Sequence, residues 1–262
     1  RASPATTVAR APERARSSPR RNPDGRMPLR EHIRELRTRV LWSALGIVVG
    51  AVGGWFVYPW LVDVLQAPLV DLAARRGELV ALNFAGVAAP LDVQIMLALF
   101  VGVLVSSPWW IYQLWAFVTP GLTSRERRTT LAVVGAAVPL FLAGAALAWW
   151  LLPAAVEILI GFTPQDAVNV IDAQAYLGFV VRLVLAFGLA FLLPVVMVAL
   201  AAVGLVGART WLAGWRWAVL LSFVFAAVAT PTGDVVSMLA LGVPICGLYF
   251  GAVGVFALVD RR

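Results

Sequence analysis

Six long runs of apolar residues constrain the fold of this chain more than any other sequence feature. They occupy residues 40–62, 93–118, 130–152, 176–203, 217–229 and 235–259. Five of them exceed the roughly 20 residues that a helix needs to cross the hydrocarbon core of a membrane. The runs are continuous rather than alternating, which argues against a β-barrel. With 61% hydrophobic and 13% charged residues, the sequence predicts an all-α polytopic membrane protein with six transmembrane helices.

The arginines are concentrated on one side of the predicted spans. With six spans both termini share a side, and 18 of the 21 basic residues fall there, against only Arg75 and Arg76 on the other side. Because Lys and Arg are enriched in cytoplasmic loops, we expect cytoplasmic N and C termini. The same charge favours contact with anionic membrane lipids, so the basic N-terminal segment needs no nucleic-acid partner.

Residues 1–26 differ in composition from the rest of the chain. They are rich in Arg, Pro, Ala and Ser and have almost no large apolar side chains. Such a segment cannot bury enough surface to offset its chain entropy. We therefore expect a disordered basic tail over residues 1–26 and a six-helix transmembrane domain over residues 27–262. The first apolar run also begins too late for a cleaved signal peptide.

The connections between the runs carry their own expectations. The first outer loop, residues 63–92, mixes apolar and charged residues in its middle, which suggests a short interfacial helix. The loop over residues 161–175 is similar and polar. The fifth run has only 13 residues, which predicts local thinning of the bilayer beside it.

Enzyme chemistry finds little support in the sequence. The only histidine, His32, precedes the first apolar run, and the only cysteine, Cys246, lies inside the last one. There is no Gly-x-Ser-x-Gly motif, no Cys/His cluster and no phosphate-binding loop. We therefore predict that the chain is not an enzyme and has no catalytic residue, bound metal or cofactor.

The stretch before the first apolar run predicts an amphipathic helix. Ile33, Leu36 and Val40 recur at helical spacing, and the other positions are mostly charged. One interpretation is a solvated polar face held by pairs such as Glu35 with Arg39. The alternative is a site for a cationic peptide in which Glu35 is the counter-charge, since a carboxylate accepts two parallel bonds from a guanidinium.

A second acidic residue follows the second run. Glu126 lies in a basic loop after a cluster of aromatic residues that includes Trp109, Trp115 and Phe117. The aromatic cluster fits an interfacial belt, as membrane helices commonly have, and Glu126 fits a simple pair with Arg125 or Arg127. A guest with two adjacent arginines would instead require two carboxylates on one membrane face, such as Glu35 and Glu126.

Two motifs resemble signatures of the TatC family, a subunit of the twin-arginine protein translocase. One is His-Ile-Arg-Glu-Leu-Arg-Thr-Arg at residues 32–39. The other is Ser-x-Pro-x-x-x-Tyr-Gln-x-Trp-x-Phe-x-x-Pro-Gly-Leu-x-x-x-Glu-Arg-Arg at residues 106–128. Ala-Pro-Leu at residues 67–69, Ala-Phe-Gly at 186–188 and the prolines at 194, 231 and 244 are similar to the family as well.

The resemblance implies a receptor for twin-arginine signal peptides that uses the transmembrane proton gradient to move folded proteins. Its partners would be those signal peptides, membrane lipids and small single-helix subunits of the TatA and TatB type, in an oligomeric translocase. Glu35 and Glu126 would contact the paired arginines, and Arg37 would support the N-terminal segment. Phe117 and Arg127 would lie beside the bound signal, and Pro68 would shape the outer loop.

Several positions in the later helices depart from the family pattern. Leu192 stands where many relatives carry a glutamate, and Met238 stands four residues after the matching Asp234, where a polar residue is common. Arg182 is the one charge well inside a predicted span. It either extends toward the outer surface or makes a polar contact with a partner helix. Pro68, Arg182, Asp234 and Met238 are therefore predicted structural or partner-docking positions.

Two further functions fit six apolar helices. One is a secondary transporter for a small solute, a class that usually places polar groups near the bilayer midplane. The other is a purely structural scaffold. Binding of a twin-arginine peptide, lost when Glu35 and Glu126 are changed, would distinguish the receptor from both.

Overall fold

The fold is almost entirely helical. The computed structural model describes residues 29–76, 82–118, 124–161, 170–202, 208–229 and 235–259. The helices and strands are α1 (Leu29–Arg76), β1 (Leu82–Asn83), α2 (Ala89–Val105), α3 (Ser107–Val118), α4 (Ser124–Ile160), β2 (Ile171–Asp172), α5 (Ala173–Phe191), α6 (Leu193–Ala202), α7 (Ala208–Ala213), α8 (Trp215–Ala229) and α9 (Val235–Val259). Each of the six predicted apolar runs falls largely within these helices.

Helix α1 is one continuous helix of 48 residues. It joins the predicted amphipathic segment, the first predicted span and the first half of the predicted outer loop. The expectation of a separate interfacial helix between the first two spans was wrong. Leu61, Leu65 and Leu69 recur every four residues and are buried, so packing against the core extends the helix past Pro68. The hydroxyl of Tyr176 donates to the Leu65 carbonyl at 2.9 Å, in the turn before that proline.

The second predicted span is broken. Helices α2 and α3 meet at an angle of 65°, whereas the apolar run predicted one helix. The Gly102 carbonyl accepts from both the Ser106 hydroxyl at 2.6 Å and the Ser106 amide at 3.0 Å, and such a side-chain bond to the preceding turn often bends a helix. Pro108 follows two residues later and disfavours helical geometry at the residue before it. The bend therefore has a local cause that hydrophobicity alone does not reveal.

The central helix of the molecule is α5. Its buried residues pack against α1, α2, α4 and α9 in one apolar core that includes Leu97, Leu152 and Leu177. The fourth predicted span also has a break, at Leu192 between α5 and α6, close to Pro194. Residues Ala173–Val198 are nevertheless apolar and long enough to form a single span. The partly buried Met238 on α9 packs against the same core.

A small parallel sheet joins two of the predicted outer loops. Leu82 pairs with Ile171, and Asn83 pairs with Asp172. The Asp172 carboxylate then accepts a hydrogen bond from the Ala175 amide at 2.7 Å and caps α5. Sequence patterning missed this sheet, because two-residue strands carry no detectable alternation. The sheet holds the segment that precedes α2 against the start of α5.

Three helical segments in the described ranges are long and apolar enough to cross a membrane: Arg30–Leu72, Val133–Ile158 and Ala173–Val198. The bent pair Ala89–Val105 and Ser107–Phe117 would add a fourth. Two shorter apolar helices, Trp215–Val228 and Leu241–Gly254, correspond to the fifth and sixth predicted spans. Many large apolar side chains of α1 are exposed, including Val49, Phe56 and Trp60, as expected for a surface that faces lipid.

Candidate functional site

The first turns of α1 and the middle of α3 enclose a groove with a volume of about 550 Å³. Charged side chains from successive turns of α1 form one wall, and an aromatic ring and an amide from α3 form the other. The lining residues are Glu31, Arg34, Glu35, Thr38, Arg39, Trp42, Trp109 and Gln113. The groove is thus a polar, open cleft at the end of α1 where the chain enters its first apolar run.

Glu35, Arg39 and Gln113 form a short polar chain across this groove, with Arg39 at its centre. Arg39 donates from Nη2 to Glu35 Oε1 at 3.2 Å and from Nη1 to Gln113 Oε1 at 3.1 Å. The ion pair follows from the four-residue spacing on a helix. The side chains are 24% exposed for Glu35 and 30% exposed for Arg39. A pair this accessible contributes little to stability and exchanges partners easily.

Trp109 connects α3 to the backbone of α1. Its indole Nε1 donates to the Trp42 carbonyl at 2.8 Å, and the two indole rings meet edge to face with centroids 6.4 Å apart. A Cβ at Gly46 would lie only 2.5 Å from Trp109 Cδ1, so the ring needs a glycine there. This contact holds the aromatic wall of the groove in place.

Replacing Trp109 with phenylalanine is expected to lower the free energy of unfolding by about 1 kcal/mol, because one interhelical hydrogen bond is lost while most apolar contact remains. Thermal unfolding of the purified protein in detergent measures the change. Trp150 is 74% exposed on α4, and Trp150→Phe is the control that should have little effect. Equal destabilisation by the two substitutions would contradict the role of the Trp109 bond.

Phe117 lies near the groove without lining it. Its ring stacks on His32 with centroids 4.5 Å apart and an interplanar angle of 22°. The stack joins the first turns of α1 to the last turns of α3. His32 precedes Glu35 by three residues on α1, so the stack places Phe117 about one helical turn from Glu35.

The other predicted residues are dispersed. Arg37 is exposed on α1 and does not line the groove. Pro68 is partly buried at the far end of α1, and Arg182 is exposed on α5. Glu126 and Arg127 belong to the first turn of α4, but their side chains lie outside the described residues, and so does Asp234.

Two contacts were not foreseen from the sequence. The sequence interpretation included Gln113 only as part of the motif at residues 106–128. An amide side chain inside an aromatic and apolar segment could have indicated that this residue has a polar partner. The His32–Phe117 stack had no sequence signal, since it depends on the packing of two helices. Within the described ranges no three His, Cys, Asp or Glu residues come together as a metal site would require.

Comparison with known proteins assigns the chain to a family. The family model for Sec-independent protein translocase protein (TatC) matches residues 31–244 of this chain. The chain belongs to the TatC family. The TatC protein of Xylanimonas cellulosilytica is 55% identical over 249 residues, which cover 95% of this chain and 90% of that protein. The TatC protein of Rothia mucilaginosa is 34% identical over 242 residues, covering 92% and 83%.

The fold agrees with that of a TatC family member. A crystal structure of the twin-arginine translocase receptor TatC superposes with a TM-score of 0.77 and 30% sequence identity, covering 88% of this chain and all of that one. TatC family proteins are components of twin-arginine protein transport, so this chain is a core translocase subunit and a multi-pass protein of the inner membrane. The matches give no support to the alternative of a small-solute transporter.

Proposed function

We propose that this TatC family subunit binds twin-arginine signal peptides in the groove between α1 and α3. The observation that carries the proposal is the position of Glu35, whose carboxylate faces an open cleft and uses Oε1 for Arg39. Among the contacts of the described residues, Oε2 is not engaged. A carboxylate with one oxygen available at a membrane surface suits an incoming guanidinium, which forms strong charge-assisted hydrogen bonds.

Glu126 is the proposed second carboxylate. Helix α4 begins at Ser124, and α3 ends at Val118. The short connection limits their separation to about 20 Å even if fully extended. Glu126 therefore belongs to the same end of the molecule as the groove. One carboxylate for each guanidinium would explain why a pair of arginines is needed.

The ion pair with Arg39 is compatible with binding. Because both partners are partly exposed, opening or sharing the pair costs little. Gln113 also gives Arg39 a second acceptor, so Arg39 keeps a partner when the peptide engages Glu35. The Glu35 carboxylate is thus partly desolvated and faces the groove before a peptide binds.

The membrane topology of the chain and its protein partners are also part of the proposed function. The six apolar runs are proposed as six spans, and the termini are proposed to be cytoplasmic because six spans would place 18 arginines on that side and two on the other. The groove would then open to the cytoplasm, where the folded substrates are located before transport. Transport driven by the proton gradient, oligomerisation and association with small single-helix subunits of the TatA and TatB type are proposed from family membership. No catalytic role is assigned.

The direct test changes the two arginines of the signal peptide. The purified chain in detergent should bind a fluorescent signal peptide with two adjacent arginines, and a peptide with two lysines in their place should bind about tenfold more weakly, because an ammonium lacks the planar fork. Cells that export a folded reporter should lose export with the same change. Equal affinity for the two peptides would contradict the proposal.

A further inference from the structure

A second groove, between α2 and α5, has one acidic residue, Asp92, at its upper end and an otherwise apolar lining. Its volume is about 400 Å³. Below Asp92, in the first turn of α2, the lining is apolar, with Ile95, Leu99 and Val103 on α2 and Val181 and Leu185 on α5. The groove is open to the outside of the molecule along helices that belong to the membrane region.

Arg182 does not line this groove itself, but it follows the lining residue Val181 and lies on the same side of Gly178 as the lining residue Met96. Its Nε donates to the Gly178 carbonyl at 3.0 Å, so the side chain folds back toward the start of α5. A Cβ placed on Gly178 would lie 3.1 Å from Arg182 Nη2 and 3.8 Å from Met96 Sδ. The guanidinium is therefore level with Met96, one helical turn or about 6 Å deeper along α2 than Asp92.

Both charges are unmatched in the described part of the chain. Arg182 is exposed within the span Ala173–Val198, and neither Arg182 nor Asp92 takes part in an ion pair among the described residues. A cation at this depth is unfavourable unless an anion approaches it. A ligand that carries an anion for Arg182 and a cation for Asp92 would match both charges.

We propose that this groove binds one phospholipid with a primary-amine headgroup, of the phosphatidylethanolamine class. Its phosphate would accept hydrogen bonds from Arg182. Its ammonium, which lies further from the bilayer centre than the phosphate, would donate to Asp92. One acyl chain would run down the apolar lining past Leu99 and Leu185. The order of charges in the groove matches the order of charges in the headgroup.

An acidic side chain on a single-helix protein partner fits less well. A lone carboxylate could pair with Arg182, but Asp92 one turn above would repel it. A lipid with a phosphate and no amine leaves Asp92 without a partner. Only the zwitterionic headgroup that can donate hydrogen bonds satisfies both side chains.

The test is lipid binding to the full chain, measured by native mass spectrometry from detergent with added phosphatidylethanolamine, phosphatidylcholine or phosphatidylglycerol. Phosphatidylethanolamine should be retained best. Arg182→Leu should weaken its retention about tenfold, as expected for loss of a charge-assisted bond. Asp92→Asn should remove the preference for phosphatidylethanolamine over phosphatidylglycerol. Arg75→Leu, which removes an exposed arginine at the end of α1, is the matched control and should change nothing.

Two results would overturn the proposal. One is equal retention of the three lipids by the unsubstituted protein. The other is unchanged retention in Arg182→Leu. Arg182→Lys keeps the positive charge and should keep most of the retention, so a loss in Arg182→Leu alone cannot be a folding defect of any substitution at this position. Co-purification of a small membrane protein that depends on Arg182 and persists after delipidation would assign the groove to a partner helix instead. Because signal-peptide binding is measured separately, its failure and the failure of the lipid site are distinguishable.

Discussion

Gly54→Ala is expected to lower the free energy of unfolding by about 1–3 kcal/mol, the usual cost of overpacking a tight contact. A Cβ on Gly54 would lie 2.7 Å from the Ala98 carbonyl oxygen and 2.9 Å from the Ala98 Cα. These are backbone atoms of α2, so the strain cannot be relieved by moving a side chain. The two helices must separate, and small residues at such crossings are what allow close packing in membranes. Thermal unfolding in detergent, followed by circular dichroism, measures the loss.

The adjacent glycine is the control. Gly53 is exposed, and a Cβ there would meet no atom within 4 Å. Gly53→Ala should therefore leave the melting temperature unchanged or raise it slightly, since alanine has the higher helix propensity. If the two neighbouring substitutions shift the melting temperature equally, the close approach of α1 and α2 is not a determinant of stability.

Glu35→Gln is expected to weaken the binding of a twin-arginine signal peptide by at least about tenfold, since hydrogen bonds to charged groups are worth roughly 1.5–3 kcal/mol. The loss has two parts. The amide removes the negative charge that attracts the peptide arginine. It also leaves the positive charge of Arg39, which still bonds Gln113, without a balancing carboxylate, so that this charge repels the arriving arginine. Fluorescence titration of the purified protein with labelled peptide gives the dissociation constants.

Glu31→Gln is the charge-matched comparison. Glu31 lines the same groove one turn earlier on α1, and no ion pair of Glu31 is present among the described residues. If the site attracts cations only through its total charge, the two substitutions will weaken binding equally. If Glu35 makes the specific contact, Glu31→Gln will change affinity less than threefold at ~0.15 M salt, where exposed charges are screened beyond about 8 Å. Equal losses would reject the specific role of Glu35.

The apolar runs made the helices predictable, but not where they break or how far they continue. The first run predicted a helix of ordinary transmembrane length, yet α1 begins before it and ends well after it. The reason is the leucine stripe at Leu61, Leu65 and Leu69, whose burial depends on residues far away in the chain. The bend at Ser106 depends on a side-chain hydrogen bond, which a hydrophobicity pattern does not contain.

Part of the candidate site could be predicted from the sequence. The four-residue interval between Glu35 and Arg39 predicts their ion pair on any helix, and that contact is present. The contribution of Gln113 could not be predicted, because 74 residues separate it from Arg39 and only the packing of α3 on α1 brings them together. The contact between neighbours on one helix was thus predictable, while the contact of Arg39 with a residue of another helix was not.

The unbroken length of α1 has a structural consequence. Its 48 residues form a rod of about 70 Å, more than twice the thickness of the hydrocarbon core. Its first turns carry the groove with Glu35, and its last turns are held in the apolar core by Leu65, Leu69 and the bond from Tyr176. One continuous helix therefore connects the groove at one end of the molecule with the packed core at the other.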